Sequence, residues 1–396
     1  MGAERFWSLE PDVVFLNHGS FGACPRPVQA HQSMLRARIE AEPVRFFTRE
    51  LVPALDEARA RLGAFLGADP EGLVFVSNAT EGVNAALGSW PLSPGDEILV
   101  TDHGYGACNN AAAFLAERAG ARVIRAALPF PIRDEGAAVD ALMSAVTART
   151  RLALIDHVTS PTALVLPIER IIKAMAERGV EVIVDGAHGP GMCPLALDAL
   201  GAAFYTGNCH KWVCAPKGAA FLHIREDLRR QARPTTISHG ARLDERSRPR
   251  LRHEFDWPGT RDPTPWLCIA AALDAVGAQR PGGWSEIMTE NRDKALAARA
   301  ILCEALGLEA PAPASMVGAM SAVVLPRGAA FVLDSVHSAD PLHDRLFDNH
   351  RVEVPVIPWP SPGHRVLRVS AHLYNHEGEY RLLAERVIAE GGLEGR

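Results

Sequence analysis

Residues 151–188, RLALIDHVTSPTALVLPIERIIKAMAERGVEVIVDGAH, read as strand, helix and strand. Arg151 to Val158 is mostly apolar, Ile168 to Arg178 repeats its apolar residues at helical spacing, and Val180 to Asp185 is apolar and β-branched apart from Glu181 and the closing Asp185. In the helical stretch Ile168, Ile171, Ile172 and Met175 share one face. Neither strand alternates apolar with polar residues, which is the pattern of parallel strands covered on both faces. The unit is therefore βαβ, and the fold class α/β.

The same alternation extends outward from about residue 70 to residue 226. Further strands are expected at Leu73 to Ser77, Glu97 to Asp102, Ala121 to Ala126, Ala203 to Thr206 and Gly218 to Ile224, and a helix at Asn110 to Arg118. Together they predict a mostly parallel, seven-stranded sheet, in which ligands collect at the carboxyl ends of the strands. A Pro/Arg-rich stretch, Arg246 to Arg261, interrupts this pattern. Beyond it a long helix (about Trp284 to Leu306), strands near Ala322, Val352 and Val366, and a closing helix from Glu377 predict a smaller α+β domain.

With 396 residues, 47% apolar and 22% charged, the chain has the make-up of a globular protein with room for two domains. Lys and Arg number 41 against 47 Asp and Glu, a net charge of −6 with neither sign gathered in a block. A nucleic-acid stripe or a polybasic membrane patch has nothing to build on, so the expected partner is a small molecule. No apolar run reaches the roughly 18 residues of a membrane span. The opening MGAERFWSLEPDVV lacks a basic segment followed by an apolar one, and a cytoplasmic location is expected. The seven cysteines are scattered and never form a C-x-x-C pair, which argues against a disulfide framework or a structural zinc site.

The residues just past the strands carry the chemistry. Leu73 to Ser77 runs into Asn78-Ala79-Thr80-Glu81, where Asn78 can cap a helix with Glu81 as reciprocal partner. The N–H groups of Ala79 and Thr80 would then face the strand end and can hold a phosphate, although an ordinary capped helix reads the same way. The next strand ends at Asp102-His103-Gly104-Tyr105, placing two aromatic rings where a flat cofactor could stack. Arg151 to Val158 is followed by Thr159-Ser160-Pro161-Thr162. Val180 to Asp185 delivers a carboxylate at the end of a buried strand, followed by His188, and such an acid must be paired or desolvated. Pairing with a protonated pyridine nitrogen is what an electron-sink cofactor requires.

Only Lys173, Lys211, Lys217 and Lys294 are lysines, so a reactive amine has four candidates. Lys173 and Lys294 each follow a glutamate by four residues in a helical pattern and read as solvated pairs. Lys217 lies in the turn Ala215-Pro216-Lys217-Gly218. Lys211, in Asn208-Cys209-His210-Lys211, remains the amine best placed to form a Schiff base near Asp185.

In order and spacing, Asn78-Ala79-Thr80-Glu81, Asp102-His103, Asp185-Gly186-Ala187-His188 and Asn208-Cys209-His210-Lys211 resemble the pyridoxal phosphate site of class V aminotransferases, a fold-type I group that includes cysteine desulfurases. The segments Phe15-Leu16-Asn17-His18-Gly19-Ser20-Phe21-Gly22, His157 to Thr162, Trp257-Pro258-Gly259-Thr260-Arg261-Asp262 and Arg368 to Asn375 resemble its isopenicillin N epimerase-like branch. The resemblance runs from about residue 13 to residue 390.

It implies a fold-type I enzyme with a large cofactor-binding domain over residues 20–255 and a small domain made of residues 1–19 and 256–396. Lys211 would hold pyridoxal phosphate and shuttle the Cα proton, and Asp185 would pair with the ring nitrogen. His188 would bond the ring hydroxyl, helped by Ser160 or Thr159, and His103 or Tyr105 would stack on the open ring face. Ala79, Thr80, Asn208 and His210 would hold the phosphate, with Thr260 reaching it from a neighbouring subunit of a homodimer with shared sites. Arg368 would clamp the carboxylate of an amino-acid substrate, with Asn17 and Gly19 closing over it. Apart from the resemblance, Arg45, Phe46 and Phe47, between the N-terminal segment and the large domain, are candidates for recognising the substrate side chain, with surface or interface packing as the other reading. Tyr105 is the favoured acid opposite Lys211.

Two departures from the family pattern matter. Desulfurases carry a nucleophilic cysteine on a loop of the C-terminal domain, whereas no cysteine follows Cys303 here, which argues against an enzyme persulfide. The acid motif also reads Asp185-x-x-His188 where many relatives have glutamine. Proton removal at Cα leads to epimerisation, C–S β-elimination as in hercynylcysteine sulfoxide lyases, or transamination. A metal-dependent hydrolase built on His103, His188 and His210 is the alternative from another class, but it lacks paired ligand spacing and leaves Lys211 and Arg368 unexplained.

Overall fold

The computed structural model describes residues 6–246, 248–332, 334–335 and 338–393. Its strands in chain order are β1 (Val14–Phe15), β2 (Leu73–Val76), β3 (Glu97–Thr101), β4 (Arg122–Ala126), β5 (Thr150–Asp156), β6 (Glu181–Asp185), β7 (Phe204–Asn208), β8 (Ala220–Ile224), β9 (Met320–Leu325), β10 (Val352–Glu353), β11 (Val356–Ile357) and β12 (Arg365–Ser370). Strands β2 to β8 form one seven-stranded sheet in the order β2-β8-β7-β6-β5-β3-β4. Only β8 runs against its neighbours, pairing antiparallel with β2 and β7. All seven expected strands are present, each within three residues of its expected ends.

The inner strands of the sheet are covered on both faces, which is why β6, β7 and β8 are almost wholly buried, whereas the edge strand β4 (RVIRA) is largely open to solvent. One face packs on helix α1 (Ala79–Ser89) and helix α2 (Gly106–Ala119), where Val83, Ala86 and Ala112 meet Val74, Val100 and Ile183. The other face packs on helix α3 (Ile168–Ala176), whose Ile168, Ile171, Ile172 and Met175 are all buried, and on the helices Arg26–Ala41 and Leu51–Leu66.

The C-terminal part is built on helix α4 (Gly283–Leu306), the antiparallel sheet β11-β12-β9 and helix α5 (Glu377–Ala389), with a core that includes Leu302, Val323, Leu367 and Tyr380. β1 pairs in parallel with β10, so the N-terminal segment is tied to this second core. Past β1 the segment crosses to the large sheet. Gly22, at φ 71°, lies so close to the chain at His210 and Lys211 that a Cβ would overlap the His210 carbonyl oxygen. Among the described residues no helix is long and apolar enough to cross a membrane.

Candidate active site

A cavity of about 400 Å³ opens at the carboxyl ends of β2, β5, β6 and β7. In one corner the Asn78 Oδ1 accepts the N–H of Glu81 at 2.9 Å and caps α1. The Glu81 carboxylate does not return to Asn78 as expected. It accepts instead from the N–H of Ser77 at 2.7 Å and from the Ser77 hydroxyl, one residue earlier. The Ala79 N–H donates to Asn208 Oδ1 at 2.8 Å, and His210 Nδ1 donates to the Ala219 carbonyl at 3.1 Å. Ala79, Thr80, Asn208 and His210 therefore meet in one corner beside a helix N-terminus.

Lys211 begins the turn after β7, and its Nζ lies 3.1 Å from His188 Nε2. The Trp212 indole N–H donates to His188 Nδ1 at 3.3 Å. An indole nitrogen can only donate, so Nδ1 is the acceptor, and the neutral imidazole carries its proton on Nε2, aimed at the Lys211 amine. Burial holds His188 well below the usual imidazole range, which keeps it neutral. Burial, and next the charge of Arg368, push the Lys211 ammonium down to about 7. The pair is therefore set up as an N–H donor and an amine lone pair.

Asp185 ends β6, the middle strand of the sheet. Its Oδ1 accepts the Ala187 N–H at 3.0 Å and its Oδ2 the Cys108 thiol at 3.1 Å. Tyr105, half exposed, lines the cavity, and burial raises its phenol above the ordinary value. Arg368, on β12, is 3% exposed; it donates to the Ser160 carbonyl at 2.6 Å and to the Ser20 hydroxyl at 3.1 Å, and its Nε has no partner among the described residues. None of its described partners is a carboxylate, and burial pushes it down to about 10. A desolvated guanidinium without a counter-ion is a costly arrangement that an anionic ligand relieves.

Other expected residues lie elsewhere. His103 is fully buried away from the cavity; Nδ1 bonds Thr162 Oγ1 at 2.7 Å, and the ring packs against Trp359, centroid to centroid 4.3 Å. Thr159 likewise turns to Thr162 and to the Leu164 N–H, leaving Ser160 at the cavity. Asn17 donates to Glu353 Oε1 at 2.7 Å and the Gly19 N–H to Ser370 Oγ at 3.0 Å, so both serve the join to the small sheet, while the following Ser20 and Phe21 line the cavity. Thr260 is exposed outside it. Arg45 pairs with Glu50, and Phe46 and Phe47 pack on each other away from the site. Among the described residues the histidines of the hydrolase alternative form no metal-holding group: His188 and His210 line the cavity, whereas His103 turns to Thr162.

Ser20, Phe21, Cys108 and Asp156 were not expected. Asp156 had a signal, a carboxyl closing the apolar run Leu152 to Ile155, as Asp185 closes its own. Cys108 had none beyond its place three residues after Tyr105.

An amine that loses its proton readily, a carboxylate at the end of the central strand, a helix N-terminus and, beside the cavity, a guanidinium with no carboxylate among its described partners fit pyridoxal phosphate with a carboxylate-bearing substrate. Fold and site define a pyridoxal phosphate-dependent enzyme of fold type I. The chain belongs to the class V aminotransferase family, whose model, described as Aminotransferase class-V, matches residues 30–379. It is 39% identical over 393 residues to the isopenicillin N epimerase of Amycolatopsis lactamdurans, covering 96% of this chain and 95% of that one. It is 29% identical over 413 residues to a probable chloroplastic L-cysteine desulfhydrase of Arabidopsis thaliana, covering 97% and 84%. A solved structure of a C-DES mutant with glycine covalently linked to its pyridoxal phosphate cofactor superposes with a TM-score of 0.80 at 20% identity, covering 95% of this chain and 96% of that one.

Proposed function

We propose that the chain is an amino-acid epimerase of the isopenicillin N epimerase type, exchanging the configuration at Cα. The observation that carries this reading is Arg368, a buried guanidinium with no carboxylate partner among the described residues, beside the same cavity as Lys211, whose hold on its proton burial weakens. The likeness to an epimerase along 96% of the chain supports it. Bound pyridoxal phosphate supplies an electron sink for the charge that develops at Cα.

Lys211 would hold the cofactor and, once the amino group of the substrate has displaced it there, would move the Cα proton at Nζ. Asp185 would keep the ring nitrogen protonated, and His188 Nε2–H, which meets the Lys211 amine here, would with Ser160 bond the ring hydroxyl once the cofactor is held. Ala79, Thr80, Asn208 and His210 bind the phosphate. Arg368 orients the substrate carboxylate through two parallel N–H bonds. Since His103 lies outside the cavity, Tyr105 is the group at the open face, and its raised phenol keeps the proton that inversion must deliver opposite Lys211. Thr260 completes the phosphate site of a partner in a homodimer. The unpaired cysteines fit the cytoplasm.

C–S β-elimination is the second reading, supported by the likeness to a cysteine desulfhydrase. It uses the same proton removal, with Tyr105 protonating the departing sulfur.

Borohydride reduction of the yellow holoenzyme, followed by peptide mapping, should find the pyridoxyl group on Lys211; finding it on Lys217, or nowhere, overturns the site. Isopenicillin N and thioether amino acids should then be incubated in deuterated solvent. Solvent deuterium at Cα of both epimers indicates the epimerase, whereas released pyruvate and ammonia indicate the lyase.

A further inference from the structure

Asp156 has no part in the roles assigned above. It closes β5 as Asp185 closes β6, and the two are register partners on neighbouring parallel strands. Such partners sit about 4.8 Å apart and send their side chains to the same face of the sheet. Both line the cavity, at 5% and 3% exposure. Their surroundings are unequal. Asp185 accepts the Ala187 N–H at 3.0 Å and the Cys108 thiol at 3.1 Å, whereas Asp156 accepts the Tyr105 N–H at 3.3 Å.

Two ionised carboxyls in so dry a place repel each other, and one proton between them removes the repulsion. Asp185, with two donors, is the better anion, and the proton falls to Asp156. Burial first, and the charge of Asp185 next, hold Asp156 well above the ordinary carboxyl range. The other titratable groups around the pair do not offset a second negative charge. Cys108 on α2, Tyr105 in the turn before it and Tyr205 on β7 are all raised by burial and stay neutral. Lys211 loses its proton near pH 7.

We propose that Asp156 and Asp185 form a dyad holding one proton, in which Asp156 is a neutral acid that hydrogen-bonds and positions the charged Asp185, so that one negative charge rather than two faces the ring nitrogen of the cofactor. Asp156 is thus a positioning residue. The inference rests on reading Asp185 as the partner of that nitrogen, and it explains why a second acid is tolerated beside it.

The test is infrared spectroscopy of the cofactor-free protein labelled with ¹³C-aspartate, at mildly alkaline pH. The carbonyl stretch of a protonated carboxyl should be present in the native protein and absent from Asp156→Asn. Asparagine keeps a neutral donor, so Asp156→Asn should bind pyridoxal phosphate within about threefold of native affinity. Asp156→Leu, which has no donor, should bind roughly tenfold or more weakly, the loss of one hydrogen bond to a charged group. On native protein alone, adding pyridoxal phosphate should shift the band as the charge of Asp185 becomes shared. A native protein without the band, a band that persists in Asp156→Asn, or one that cofactor leaves unmoved would overturn the dyad. The band is read without cofactor, so a failed Lys211 labelling sinks the site assignment separately.

Discussion

Lys211 owes its weak hold on a proton to burial first and to Arg368 second, and these causes separate by mutation. In the cofactor-free protein only the unprotonated amine attacks the cofactor aldehyde. A group titrating near 7 goes from about one-tenth to about nine-tenths unprotonated across one pH unit on each side. The uptake rate of pyridoxal phosphate, followed by absorbance, should therefore rise about tenfold from one unit below neutrality to one unit above. Arg368→Gln removes the second cause and should shift this profile to higher pH; an unshifted profile refutes the assignment. The same variant should keep its cofactor yet lose roughly a hundredfold or more in kcat/KM, as expected when a buried charged partner is withdrawn. Arg368→Lys should not restore it, because an ammonium cannot form two parallel bonds with a carboxylate. At Tyr105 the expectation is a split: Tyr105→Phe should retain Cα–H exchange with deuterated solvent but suppress product, and turnover at the native rate would make the ring mere packing.

At the scale of elements, the phosphate corner depends on how closely α1 approaches β7. Gly82 lies against Thr206, where an added Cβ would overlap Oγ1, and Thr206 is itself held to the Phe221 carbonyl at 2.9 Å. Gly82→Ala should push α1 outward, lowering stability by about 1–3 kcal/mol and weakening pyridoxal phosphate binding as the Ala79 and Thr80 amides retreat. Thermal unfolding and a cofactor titration check both effects, and unchanged affinity would detach that corner from the phosphate. The strands were legible because each apolar run is bounded by turn residues. α2 begins at Gly106, four residues before its apolar period becomes visible at Asn110, because its N-terminus has no side-chain cap to announce it. The Glu81 box closes on Ser77 rather than Asn78, a matter of side-chain reach that spacing does not resolve.

For the whole molecule, the exposed Thr260 and the absence of cysteine after Cys303 each make a prediction. If Thr260 serves a neighbour, light scattering should report a dimer, and Thr260→Ala should weaken cofactor binding without destabilising the protomer; an active monomer would contradict the shared site. If the chain lacks a sulfur-accepting nucleophile, no persulfide should be trapped on any cysteine during turnover with cysteine.

By itself the sequence determined the α/β alternation and, to within two residues, where each strand ends, and so singled out Asp185, His188 and Lys211 as candidates, because a buried parallel strand is apolar until it nears the ligand and polar just beyond. Lys211 stood out among them because the chain has four lysines and the other three have simpler readings. Tertiary structure alone decided what depends on the crossing of distant segments. His103 and Tyr105 are two residues apart, yet packing against Trp359 from far along the chain draws one inward and leaves the other at the cavity. Ser20 rather than Asn17 meets Arg368 because pairing of β1 with β10 sets where the N-terminal segment crosses. Asp156 faces Asp185 because β5 and β6 align in register, a relation between strands that no linear spacing encodes.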